Sequence, residues 1–194
     1  MAKAETERVA EVKIKKLNTD RIILHIQGLA PGLLVNAYSG TEKLSPDERF
    51  KQCRHYLGEG RDGALEGFPA SGIKAAMVKA GYRAAKPQLA MTETTANIFV
   101  LHGADGLLPI LAGDPVIHRS TIISQQGRGG PKAVEVTRAC YADWGMDVPL
   151  QWNTERFSAD DIGNLLDLAG FVQGIESWRP ENDGQYGRFR VVEK

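Results

Sequence analysis

Cysteine is scarce: two stand among 194 residues. Cys53 and Cys140 lie far apart and neither opens a C-x-x-C pair, which excludes a disulfide framework and a four-thiolate zinc site and fits a reduced, cytoplasmic setting. Net charge is lacking too. Twenty-four lysines and arginines face 24 aspartates and glutamates, so bulk charge draws the chain toward neither nucleic acid nor membrane, and any polyanion site must be a local patch. No apolar run reaches the roughly 18 residues of a membrane helix. The charged opening "MAKAETERVAEVKIKK" lacks the central apolar segment of a secretory signal. Catalytic templates are absent as well: there is no G-x-S-x-G elbow and no H-E-x-x-H pair. The four histidines (His25, His55, His102, His118) are scattered, and Cys53 and His55 in "CRHY" have no second ligand pair. Neither a metal nor a cofactor is expected.

What is present reads as one domain spanning 1–194, with no repeat and no low-complexity tract. Val9, Val12, Ile14 and Leu17 alternate among charges, "NTD" turns, and "RIILHIQ" is β-branched, which predicts an opening hairpin over residues 8–27. "SPDERFKQCRHYL" can start a helix with Ser45 as N-cap and Pro46 first, but the glycine-rich "GEGRDGALEG" marks a mobile insertion near 40–66. A helix follows, capped by Ser71, with Ile73, Ala76, Met77 and Ala80 at helical spacing. Residues 89–118 read as short strands broken at Gly103, Gly106, Pro109 and Gly113. "RSTIISQQGRGGPKA" reads as a basic loop or hairpin tip near 118–132, and "AVEVTRACYADW" and "VPLQWN" resume the sheet. The clearest helix has Ser158 as N-cap and Asp161 at the capping-box position. Its stripe is Ile162, Leu165, Leu166 and Ala169, and Gly170 ends it. "GRFRVV" closes as a strand with Phe189 and Val191 on one face. This order predicts an α+β fold with a ferredoxin-like (RRM-like) core, two helices on one face of a mainly antiparallel sheet, and inserted hairpins and loops.

The stretch "GFPASGIKAAM" has the glycine spacing of a phosphate loop at Gly67 and Gly72. Ile73 stands where that loop needs lysine and Lys74 where it needs a hydroxyl, so nucleotide hydrolysis is not indicated. A capped helix start with Ser71 and Lys74 suits a phosphate of a polymer instead. "HRSTIISQQGRGGPK" gathers His118, Arg119, Arg128 and Lys132 with no acidic residue from 115 to 134, while Gln125 and Gln126 add neutral donors. "SWRPENDGQYGRFR" interleaves Trp178, Tyr186 and Phe189 with Arg179, Arg188 and Arg190. Phe189 is assigned to the core, Trp178 is either anchor or ligand contact, and Tyr186, Arg179 and Arg188 are ligand candidates. His25 reads as a packed histidine. Asp160 and Asp161 serve a helix start. Whether Asp105 or Asp114 meets His118 stays open.

Pro69, Ser71 and Lys74 resemble the P-x-S-x-x-K start of the first helix in the RAMP superfamily, the RRM-like proteins that form the RNA-binding backbone of CRISPR effector complexes. "GIESWRPENDGQYGRFRVV", with Gly184, Gly187 and Arg188, resembles that superfamily's late glycine-rich loop and final strand. The whole is more similar still to an unassigned, phage-encoded group of RAMP-like proteins. Taken with the basic stretch and the glycine-rich edges, the RAMP resemblance leads to the expectation of a non-catalytic protein that binds single-stranded nucleic acid, RNA rather than DNA, as a homo-oligomer of repeated protomers in the cytoplasm, the host's if it is phage-encoded. Two other readings stand beside it: a phage structural or assembly protein whose loops contact protein neighbours, and a phosphodiester-cleaving enzyme using His118 with an acidic partner.

Overall fold

The computed structural model describes residues 16–40, 42–58, 65–124 and 132–193. Alternation along "TDRIILHIQG" builds β1 (Thr19–Gly28), whose Ile22, Leu24 and Ile26 turn inward. A short β2 (Leu33–Leu34) follows, then α1 (Pro46–Gln52), β3 (His55–Tyr56) and β4 (Glu66–Pro69), which runs directly into α2 (Ala70–Arg83). After α3 (Met91–Asn97) come β5 (Ile98–Val100), β6 (Leu107–Pro109), β7 (Leu111–Ala112), β8 (Val116–Ser124), β9 (Lys132–Tyr141) and β10 (Trp144–Asn153). The chain ends in α4 (Ala159–Val172), a 3-10 turn at Pro180–Asn182 and β11 (Phe189–Val192).

The main sheet has the order β11-β1-β10-β5, every neighbour antiparallel, with β7 against the far end of β10. Counted as β1-α2-β5-β10-α4-β11, the first and third strands lie centrally and the two helices share one face: the expected α+β, ferredoxin-like core. Trp144, Met146, Val148, Leu150 and Trp152 of β10 are all buried, and the stripes Ile73, Ala76, Met77 and Ala80 of α2 and Ile162, Leu165, Leu166 and Ala169 of α4 close over them. Each such large apolar side chain contributes about 1.5–3 kcal/mol by leaving water. Everything between β5 and β10 is insertion, and its main part, the β8–β9 hairpin, forms a second sheet with β2, while β3, β4 and β6 form a third.

The capping boxes at Ser45 with Glu48 and Ser158 with Asp161 are both present. Four expectations change. The helix at 70–83 begins two residues earlier than read, with Pro69 as N-cap and no side-chain cap, so Ser71 lies inside the first turn. Gly170 does not end α4, which runs two residues further; it is buried in the last turn, where a Cβ would come within 2.1 Å of the Phe189 carbonyl oxygen, so glycine lets β11 pack close. Residues 91–97, read as strand, are helix α3: Thr94 is fully buried there and its hydroxyl bonds the Ala90 carbonyl at 3.2 Å, a tertiary gain that overrides threonine's β preference. Residues 119–124, read as part of a loop or hairpin tip, continue strand β8 in register with β9, from Arg119 opposite Thr137 to Ser124 opposite Lys132, so the strand reaches further than read. Residues 8–15 of the expected opening hairpin, and 59–64 and 125–131 of the two expected loops, lie outside the described residues. Both cysteines are free and buried, and burial pushes their thiols up.

Candidate functional site

Phe68 folds its ring over Gly72, where a Cβ would meet it at 2.4 Å, so this glycine makes room for an aromatic ring rather than for a phosphate. The chain then enters α2 with its amides exposed in part. Ala70 gives its N–H to the Gly106 carbonyl at 2.9 Å, which leaves the first-turn amides of Ser71 and Gly72 without a backbone acceptor. Ser71 is exposed and its hydroxyl caps nothing. Ser71 and Gly72 line a cleft of about 200 Å³ whose opposite wall is the glycine-rich loop at Gly174, Ile175, Glu176, Arg179 and Glu181. The two stretches singled out in the sequence, a hundred residues apart, therefore face each other.

Charge in this cleft centres on Glu181. Lys79 Nζ donates to its carboxylate at 2.7 Å and the Arg179 guanidinium does so at 2.8 and 3.0 Å, with Arg83 at 3.3 Å. Three cations around one carboxylate leave a local excess of positive charge, and although burial raises the Glu181 carboxyl, Lys79 and Arg179 outweigh it and hold it below the usual carboxylate range. Glu176 behaves oppositely. Burial raises its carboxyl to about 7, an effect only partly offset by the Asn36 N–H at 2.8 Å and the charge of Arg179. The loop is bent tightly, with Glu176, Trp178 and Asp183 at φ of +64°, +50° and +59°. Gly187, at φ +65°, passes so close to the Ile175 carbonyl that no side chain fits.

On the other side of that loop stands the hairpin. His118 of β8 meets the Trp178 and Tyr186 rings edge-on at 5.7 and 6.0 Å between centroids, and Trp178 meets Tyr186 at 6.2 Å. Its register partner Arg138 on β9 lies 5.5 Å from the Trp178 ring centre. The His118 Nδ1 is buried with no hydrogen-bond partner, so neither Asp105 nor Asp114 bonds it there.

Of the nine residues proposed from sequence, Ser71 and Arg179 share the cleft, and His118 and Tyr186 share the aromatic cluster beside it. Lys74 is elsewhere, its ammonium 4.4 Å over the Phe99 ring at the sheet edge. Arg119 is exposed and, as the strand neighbour of His118, faces the opposite side of the hairpin. Arg188 bonds the Gln185 and Ala30 carbonyls and fastens the loop. Arg128 lies outside the described residues. Lys132 begins β9. His25 packs in β1 with its Nδ1 2.8 Å from Asp147. Lys79 and Arg138 were not singled out as ligand residues, and Trp178 was left open between core anchor and ligand contact. Lys79 looks like any solvated helix lysine, since its partner is 102 positions away.

The open face of the main sheet presents Arg21, Ile23 and His25 from β1 and Asp147, Pro149 and Gln151 from β10. These two central strands thus carry no phenylalanine, tyrosine or tryptophan on that face, and its one aromatic, His25, is tied to Asp147.

No protein-family model matches the chain, and no curated protein sequence matches it. Among solved structures it is similar to a chain of the Type III-B Cmr-beta bound to cognate target RNA, with a TM-score of 0.52 and 11% identity over 90% of this chain and 59% of that one. The two share a fold. It is also similar to Cmr6 from Pyrococcus furiosus, with a TM-score of 0.46 and 12% identity over 91% of this chain and 100% of that one. At such identity the likeness is one of fold, and the chain spans 59% of the length of the Cmr-beta chain it matches. Among the described residues no helix is long and apolar enough to cross a membrane, and no group of three histidine, cysteine or acidic side chains is placed to hold a metal ion.

Proposed function

We propose that this protein binds single-stranded nucleic acid, RNA rather than DNA, without cleaving it, and does so as repeated copies along the strand. The observation that carries the reading is the shared cleft: the first turn of α2, with two unpaired amides and the Ser71 hydroxyl, faces a glycine-rich loop at which Lys79 and Arg83 of α2 and Arg179 of the loop surround the Glu181 carboxylate. The preference for RNA follows the fold, which is shared with a chain from a structure bound to cognate target RNA. With about four to six phosphates contacted per copy, affinity should fall with salt at a log–log slope of roughly 3 to 4, and single copies should bind weakly. Repetition along a strand raises the effective affinity. In a gel-shift or anisotropy titration, labelled single strands should bind in this salt-dependent way. Arg119, Arg128 and Lys132 changed together to Ala should weaken the shift, and undiminished binding by that variant overturns the assignment of those three.

A specific feature favours the second reading, an assembly protein. Strand β8 is an edge strand in the order β2-β9-β8, and Val116 and Ile123 on it are 63% and 72% exposed, a surface suited to another protein chain. If the purified protein forms a large assembly with the absorbance ratio of free protein and ignores oligonucleotides, that reading replaces the first.

A further inference from the structure

Of the three tryptophans, Trp144 and Trp152 are 1% and 2% exposed while Trp178 is 38% exposed. The loop holds Trp178 out in a left-handed backbone conformation that bulky residues rarely adopt. Two features fix it there: the Tyr186 N–H donates to the Trp178 carbonyl at 3.0 Å, and Gly184 crosses against that same carbonyl, where any side chain would collide. Strain of this kind persists only where the surroundings over-determine it, and it gathers at ligand sites.

Arg138, beneath the indole, is the unusual member of the cluster. It is 7% exposed, it donates to the Ser120 hydroxyl at 2.9 Å, its Nε has no partner, and no carboxylate pairs with it among the described residues. Burial lowers its pKa. A buried guanidinium without a counter-charge is costly, and the neighbouring His118 Nδ1 is likewise buried and unpartnered. An exposed, backbone-strained indole over two orphaned polar groups is poorly explained as packing and well explained as half of a complex.

We propose that Trp178 is a stacking platform for one unpaired nucleobase of the bound strand, and that the phosphate beside that base supplies the counter-charge Arg138 lacks. The proposal rests on the nucleic-acid reading above and gives it a base contact. The cation on one side of the indole and a base on the other make an arginine–tryptophan–base stack. Stacking tolerates any base, since each has a π-face, but excludes bases locked in a duplex.

Trp178 is the only well-exposed tryptophan of the three, so a base that stacks on the protein quenches its share of the intrinsic fluorescence over the steady background of the buried pair. Titration with a single-stranded RNA of about twelve nucleotides should quench that emission, and the same strand in a duplex should not. Trp178→Ala should bind about tenfold more weakly, while Trp178→Phe keeps most of the affinity. An abasic ribose-phosphate strand of equal length, added to the unaltered protein, should bind as weakly as the intact strand binds Trp178→Ala. If the abasic strand binds as tightly as the intact one, or the intact strand binds without quenching, the platform is overturned while nucleic-acid binding stands. If no strand binds at all, both fall.

Discussion

Glu176 shows how one side chain can set the conditions under which the loop is secure. Its carboxyl is buried, accepts the Asn36 N–H, and has a pKa raised from 4.5 to about 7. Between those values the folded chain keeps a proton that the unfolded chain has released, so stability falls as pH rises through that window and is lowest above about pH 7. The full shift corresponds to roughly 2–4 kcal/mol. Glu176→Gln keeps an acceptor for Asn36 and removes the charge. Thermal melts should show the variant more stable than the parent at pH 8, with the difference vanishing at or below about pH 4.5; an equal gap at both pH values would contradict a raised pKa. Binding and stability are linked here, because Glu176 belongs to the wall of the cleft that also holds Arg179 and Glu181.

Two serines at helix starts separate structural from functional roles among the elements. Ser158 accepts the Asp161 N–H at 3.1 Å in a complete capping box, so Ser158→Ala should cost about 1 kcal/mol and lower Tm by about 3 °C. Ser71 caps nothing, so Ser71→Ala should leave Tm within about 1 °C while weakening oligonucleotide binding; a Tm loss equal to that of Ser158→Ala would restore it to a capping role. This contrast marks what the sequence can disclose. Helix α4 was legible because its cap, stripe and acidic first turn are local. Helix α3 was not, since its threonine-rich segment is fixed by burying Thr94 against distant residues. The place of Trp178 was equally hidden: it depends on a left-handed backbone and on the chain crossing at Gly184, and neither leaves a periodic trace. The facing of α2 and the glycine-rich loop was foreshadowed only by the resemblance at Pro69, Ser71 and Lys74. Even there Lys79, not Lys74, lines the cleft.

Taken as a whole, the molecule sets its insertions on an unaltered four-strand, two-helix frame, so core and candidate site draw on different parts of the chain. The hairpin joins the two. Its inner end is buried at Thr137, Arg138, Ala139, Cys140 and Tyr141, its register continues into β2, and the Tyr141 hydroxyl donates to the Glu66 carboxylate, while residues 133–135 are exposed. A strand rooted in this way opens from its free end. Amide hydrogen exchange should therefore be graded along β9, fastest at Ala133 to Glu135 and approaching the rate of global unfolding at Ala139 to Tyr141. Arg138 falls at the junction between the two regimes, so the outer hairpin can fray and re-form without releasing the guanidinium beneath Trp178.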